Sequence, residues 1–197
     1  PEDPPDPSPP PWATCPDVVA EIPGIGDRAD DRRLARDVLV VSKRLRRAML
    51  YEKGRLVRGE AGRPVCHRIA LGYRAPEGPK RARGDRRTPE GWYGLSDKPW
   101  SWTWPGSIAV HYPNLEDARR AHRERRLTRR ELVAIGAAAT QGHRPPQRTA
   151  LGGDILLHGG GSAVDWTDGC IALDDHDLRA LRRALAGRRG VSLLILP

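Results

Sequence analysis

The chain contains no phenylalanine, one methionine, three cysteines and only four lysines among 197 residues. Without Phe, aromatic packing falls to six Trp and four Tyr. No run of 18 apolar residues occurs, which excludes a membrane-spanning helix within this sequence. The 21 Gly and 19 Pro show no period of three and make up about one-fifth of the chain, too little for a collagen-like or low-complexity protein. Counted with glycine, the apolar fraction is roughly 47%, in the globular range. Wholly disordered and fibrous classes are therefore excluded, and the length fits one domain with a tail.

Cysteines at 15, 66 and 170 are too few for a disulfide scaffold and lack the close pairs of a zinc site. In an oxidising compartment Cys15 and Cys66 would form one bridge and leave Cys170 as a thiol; in a reducing one all three stay thiols. The lysine shortage leaves 30 Arg to carry the formal charge of +9. A pI near 10.2 suits a polyanion. The arginines are nonetheless scattered through every segment, without an RNP, zinc-finger or helix-turn-helix pattern, and no nucleic-acid partner is expected.

Eight prolines lie within the first 16 residues, beside acidic groups and almost no aliphatics, so this stretch reads as a semi-stiff tether. Residues 17–37 would pack on the following domain or fray. From Val38 short apolar runs alternate with polar breaks: Val38 to Val41, then Met49 to Tyr51 around the Glu52-Lys53-Gly54 turn, then Ile69 to Gly72, Trp92 to Leu95 and Ile108 to Tyr112. Asn114 with Asp117, and Thr128 with Glu131, carry the spacing of capping boxes and predict two helices over 114–140. Strands are expected again over 154–158, 170–173 and 190–196, with a helix begun by Asp174. These elements predict a sandwich-like domain over residues 38–197, mainly β with inserted helices.

The densest segment runs from Gly153 to Leu173. A strand delivers His158 to its end, glycines 159–161 let backbone approach a ligand, and a second strand begins at Cys170. A cysteine nucleophile needs a base within hydrogen-bond reach and backbone N–H groups for the oxyanion, and adjacent strand ends could bring His158 to Cys170. One Cys and one His twelve residues apart also fit ordinary packing. Asp174-Asp175-His176-Asp177 has the residue types of a metal site, but its spacing suits a helix N-terminus, and no metal is expected. Trp100, Trp102 and Trp104 would share one face of an extended segment, as a ligand platform or as core filling. His111 reads as structural.

Taken together, Gly78-Pro79-Lys80, Gly84-Asp85-Arg86-Arg87-Thr88-Pro89-Glu90-Gly91-Trp92-Tyr93, Tyr112-Pro113-Asn114, His158-Gly159 and Thr167-Asp168-Gly169-Cys170 identify a pattern. In this order they resemble the L,D-transpeptidase catalytic domain, the YkuD-like family of bacterial cell-wall enzymes, and in particular its YafK-like branch. The resemblance implies a YkuD-like β-sandwich over residues 38–197. It implies Cys170 as the nucleophile that attacks the amide after the third residue of a peptidoglycan stem peptide, expelling D-Ala. His158 would be the base, oriented by the Gly159 carbonyl, and the N–H groups of Gly169 and Cys170 would form the oxyanion hole. Lys80, Arg86, Tyr112, Trp166 and Asp168 would contact substrate. The acyl group would pass to an amine, giving a 3-3 cross-link or attachment of an envelope lipoprotein, or to water, as in a hydrolase of the same fold. An inactive peptidoglycan-binding module is the reading of another class. No cofactor is implied; a monomer in the periplasm or another extracytoplasmic site is, with any signal or anchor outside this sequence. Asp168 departs from the family pattern, which has His there. A carboxylate two residues before the thiol can attract an ammonium acceptor, yet it disfavours the thiolate.

Overall fold

The computed structural model describes residues 15–97 and 105–197. Residues 1–14 of the tether and the alternating tryptophans Trp100, Trp102 and Trp104 lie outside them. Ten strands form two mixed sheets. In the larger, β1 (Val38–Ser42) pairs antiparallel with β2 (Arg47–Glu52) and parallel with β10 (Ser192–Leu196), so the two ends of the domain meet at its centre. β3 (Arg55–Leu56) and β4 (Cys66–Arg68) pair with β2, and β5 (Gly91–Tyr93) pairs with β10. The smaller sheet has the order β6 (Leu95–Asp97), β7 (Ile108–Val110), β8 (Leu156–His158) and β9 (Ile171–Ala172). Only Gly94 separates β5 from β6, and the chain there passes from one sheet to the other; a Cβ at this glycine would sit 2.6 Å from His111 Nδ1.

Strand side chains alternate between faces, and both faces of the larger sheet are buried. Leu39, Val41, Leu50, Leu193 and Ile195 join Ile108, Val110, Leu157 and Ile171 in the core that holds both sheets. Val38, Val40, Met49, Tyr51, Leu194 and Leu196 face the other way, against Val19, Ile22, Ile25 and Leu34. Two-sided burial explains why β1 and β10 read as unbroken apolar runs. Residues 17–37 therefore pack on the domain, as three short 3-10 turns. Their attachments are the Tyr51 hydroxyl donating to the Pro16 carbonyl (2.8 Å), the Leu56 amide donating to Asp17 (2.9 Å), and a disulfide from Cys15 to Cys66 of β4.

Both expected capping boxes are present. Asn114 and Asp117 close the start of α1 (Leu115–Arg123), and Thr128 and Glu131 that of α2 (Arg129–Thr140). Asp174 stands at the N-cap of α3 (Asp175–Leu185), but its side chain makes no cap bond and is used elsewhere. The expected strand over Ile69 to Gly72 is instead an extended segment with isolated bridges, Ala70 to Ala172 and Gly72 to Thr167. Side chains take the amides a longer ladder would use: Leu71 donates to Asp165 Oδ1 (2.9 Å) and Gly72 to Thr88 Oγ1 (2.9 Å). Among the described residues no helix is long and apolar enough to cross a membrane.

Candidate active site

Parallel pairing of β8 and β9 aligns Leu157 with Ile171 and His158 with Ala172. One step back along this register sets Cys170 opposite Leu156, and the Leu156 amide donates to Cys170 Sγ (3.4 Å). Cys170 and His158 thus stand two positions apart on neighbouring strand segments, on one face of the sheet. The thiol is partly exposed and donates to the Asp154 carbonyl (3.5 Å).

His158 is 2% exposed. Its Nδ1–H donates to the Gly159 carbonyl at 2.6 Å; because a carbonyl can only accept, the proton sits on Nδ1 and Nε2 is the acceptor of the neutral ring. Burial pushes the imidazole pKa below the ordinary histidine value, and the hydrogen bond donated to the Gly159 carbonyl only partly opposes this. Trp166 meets the ring edge-to-face, with centroids 5.5 Å apart, and its indole N–H is anchored on the Gly161 carbonyl (3.0 Å). Trp166 is therefore a wall for the imidazole.

The start of α3 holds the glycine loop that carries the Gly159 carbonyl. Asp175 Oδ1 accepts from the Gly160 amide (2.9 Å), and Asp174 accepts from the amide and hydroxyl of Ser162 (3.0 and 3.1 Å). Asp177 pairs with His67 of β4 (3.0 Å). The run that resembled metal ligands is thus spent on loop and strand anchoring. A Cβ at Gly159 would come within 2.1 Å of Asp175 Oδ1, so this close approach requires glycine.

Thr167 braces the turn before Cys170. Its hydroxyl donates to the Cys170 carbonyl (2.7 Å) and accepts from the Gly169 amide (3.2 Å). The Gly169 N–H, expected to line an oxyanion hole with that of Cys170, thus has Thr167 Oγ1 as its partner in this arrangement. Gly169 also has φ +131°, and a Cβ there would lie 2.6 Å from the Arg87 carbonyl.

Of the residues expected to contact substrate, two have their polar atoms engaged within the protein. Tyr112 is wholly buried, its hydroxyl donating to the Leu151 carbonyl (3.2 Å) and its ring packed against Tyr93. Lys80 is 3% exposed and its ammonium is committed to Asp85 (2.7 Å) and the Ala82 carbonyl (3.0 Å). Arg86 and Asp168 do lie at an open cleft of ≈ 460 Å³ that Asp154 also lines, and Arg86 Nε stands 3.4 Å from Asp168 Oδ1. Lys80 nevertheless lines the same cleft, its ammonium turned to Asp85. The sequence analysis named Thr167 within the motif without a role, and it gave none to Gln147 or to the Asp174–Asp175 clamp. For Thr167 a signal existed, since a hydroxyl two residues before glycine is turn chemistry; for the others, contacts across the fold decide.

A family model described as the YkuD L,D-transpeptidase catalytic domain matches residues 36–189. The chain belongs to this family. The helical cell shape determining protein Pgp2 from Campylobacter jejuni is similar in structure, with 25% identity and a TM-score of 0.51 over 81% of this chain and 46% of that one. A point variant of Pgp2 gives 26% identity at the same TM-score and the same coverage. Bd1075 of Bdellovibrio bacteriovorus matches at 21% identity and TM-score 0.44, covering 82% of this chain and 48% of that one. The chain thus spans less than half the length of these relatives. Comparison with curated protein sequences gives no match.

Proposed function

We propose that this domain is an extracytoplasmic cysteine acyltransferase acting on peptidoglycan stem peptides, with Cys170 as nucleophile and His158 as general base. The observation that carries the reading is the state of His158: a buried neutral imidazole, its Nδ1–H fixed on Gly159, presenting a basic Nε2 on the same sheet face as Cys170. Family membership supports the substrate class. The Cys15–Cys66 disulfide supports an oxidising compartment.

In the first half-reaction the Cys170 thiol proton passes to His158 Nε2 and sulfur bonds to the carbonyl carbon after the third stem residue. In this reading the Cys170 N–H stabilises the developing oxyanion. As the C–N bond breaks, the imidazolium returns its proton to the departing amine of D-Ala, leaving a thioester. An acceptor amine then attacks; His158 takes its proton, the C–S bond breaks and the thiol is restored. Water in the amine's place makes the reaction hydrolytic. Asp168, 82% exposed and paired with Arg86 at 3.4 Å, would in this reading draw an ammonium toward the thioester.

The test incubates the protein and Cys170→Ala with a disaccharide-tetrapeptide and an amine-bearing stem, with products read by mass spectrometry. The reading expects a Cys170-dependent product joined through the third stem residue. Loss of D-Ala without joining assigns hydrolysis instead, and no Cys170-dependent product overturns the enzyme assignment.

A further inference from the structure

Two turns form the cleft next to Cys170, and both are rigid. The Arg83 amide donates to the Ala150 carbonyl (2.9 Å), and a Cβ at Gly152 would lie 3.2 Å from Arg83 Cα, so the turns touch backbone to backbone. Gln147 braces one turn, its Oε1 accepting from the Asp154 amide (2.7 Å) and its Nε2 donating to the carbonyls of Tyr112 (3.1 Å) and Pro145 (2.6 Å). Asp85 braces the other by accepting from the amides of Arg81, Ala82 and Arg87 as well as from buried Lys80.

Charge pairing leaves a residue of one sign. Lys80 is matched by Asp85 (2.7 Å), Arg86 by Asp168 (3.4 Å), and Asp154 by Arg144 (2.7 Å). Arg83 and Arg148 also line the cleft, both exposed, and among the described residues neither forms an ion pair. Two uncompensated guanidinium groups thus sit on a preorganised cleft that shares Asp154 with the thiol, whose proton the Asp154 carbonyl accepts. Guanidinium matches the planar fork of a carboxylate. A long polyanion fits less well, because Asp154 and Asp168 interrupt the basic lining.

We propose that Arg83 and Arg148 form a specificity subsite for two free carboxylates of the peptide donor, so that the enzyme selects dianionic stem peptides over amidated ones. The proposal rests on the reading of Cys170 as the acylated residue, whose thiol reaches the cleft through the Asp154 carbonyl. Each arginine acts by binding, so its loss should raise KM and leave kcat nearly unchanged.

The experiment compares a tetrapeptide donor with free carboxylates against forms amidated at the C-terminus, at the internal carboxylate, or at both, using wild type, Arg83→Gln and Arg148→Gln. Loss of one charge-assisted contact is expected to raise KM about tenfold. The effects should be coupled: each substitution raises KM for the free donor and has no further effect on the donor already amidated at its own carboxylate. Equal KM increases for free and amidated donors, or no increase with either variant, overturn the proposal. If no donor is turned over, the function reading fails separately, and calorimetric binding of the same four peptides to Cys170→Ala decides the subsite. Preference for the free peptide that disappears in the Arg→Gln double variants upholds it; equal or absent binding of free and amidated peptides overturns it.

Discussion

A buried imidazole beside a thiol is useful only while it is neutral, and the contacts of His158 keep it so. Desolvation disfavours imidazolium, which moves the acid limb of kcat/KM below the ordinary histidine value of 6.5. Activity is therefore retained as the pH falls past that value and is lost only below it. Trp166→Ala admits water to the ring, which should raise the limb toward 6.5 and lower kcat; rate profiles across pH measure both. An acid limb at or above 6.5 in wild type, unmoved by the substitution, would contradict this role. The sequence placed Cys170 and His158 at neighbouring glycine-flanked strand ends, and the register of β8 and β9 sets them two positions apart. Burial was harder to read than residue type: the Tyr112 phenol is taken up by the Leu151 carbonyl, 39 residues on, and the Lys80 ammonium by Asp85 in its own turn.

Among the elements, local signals were the readable ones. Both capping boxes were legible because their partners lie three residues apart, while the Ile69–Gly72 segment lost its ladder to Asp165 and Thr88, neither adjacent to it in sequence. The 80–87 turn is the element whose energetics can be checked. Burial raises the Asp85 pKa, but Lys80 and three backbone amides outweigh it and hold the carboxyl below its usual range. Asp85→Asn leaves a buried ammonium unpaired and should destabilise the fold by about 3 kcal/mol. Asp85 contributes its stability above the usual carboxylate pKa and loses it as the pH falls through its own lower value. The wild type's advantage is therefore full at neutral pH and vanishes in strong acid. Denaturant titrations of both proteins at neutral and acid pH measure the gap; equal stability at neutral pH would refute the assignment. The companion variant Lys80→Met/Asp85→Asn should recover most of the loss.

At the scale of the whole molecule, two cores share one sheet. Residues 17–37 cover its outer face, and the disulfide from Cys15 to Cys66 closes a sequence separation of 51 residues. Sparse apolar positions, Val19, Ile22, Ile25 and Leu34, made this layer hard to read, since no periodic element repeats them. Cross-linking restricts the unfolded chain, and Cys66→Ser should cost about 2–4 kcal/mol. Proteolysis should then open residues 17–37 first, with alkylation of Cys170 unchanged, because the thiol is built on the other sheet. Loss of Cys170 reactivity together with the N-terminal layer would mean that the two cores are one cooperative site.

The most direct measurement is the intact mass of the protein after mixing with tetrapeptide donor in the absence of an amine. The account predicts a hydroxylamine-labile adduct equal to the donor less D-Ala, mapped to Cys170, absent in Cys170→Ala and formed at least about a hundredfold more slowly in His158→Ala. No adduct on wild type, or one that forms as fast without His158, would contradict it.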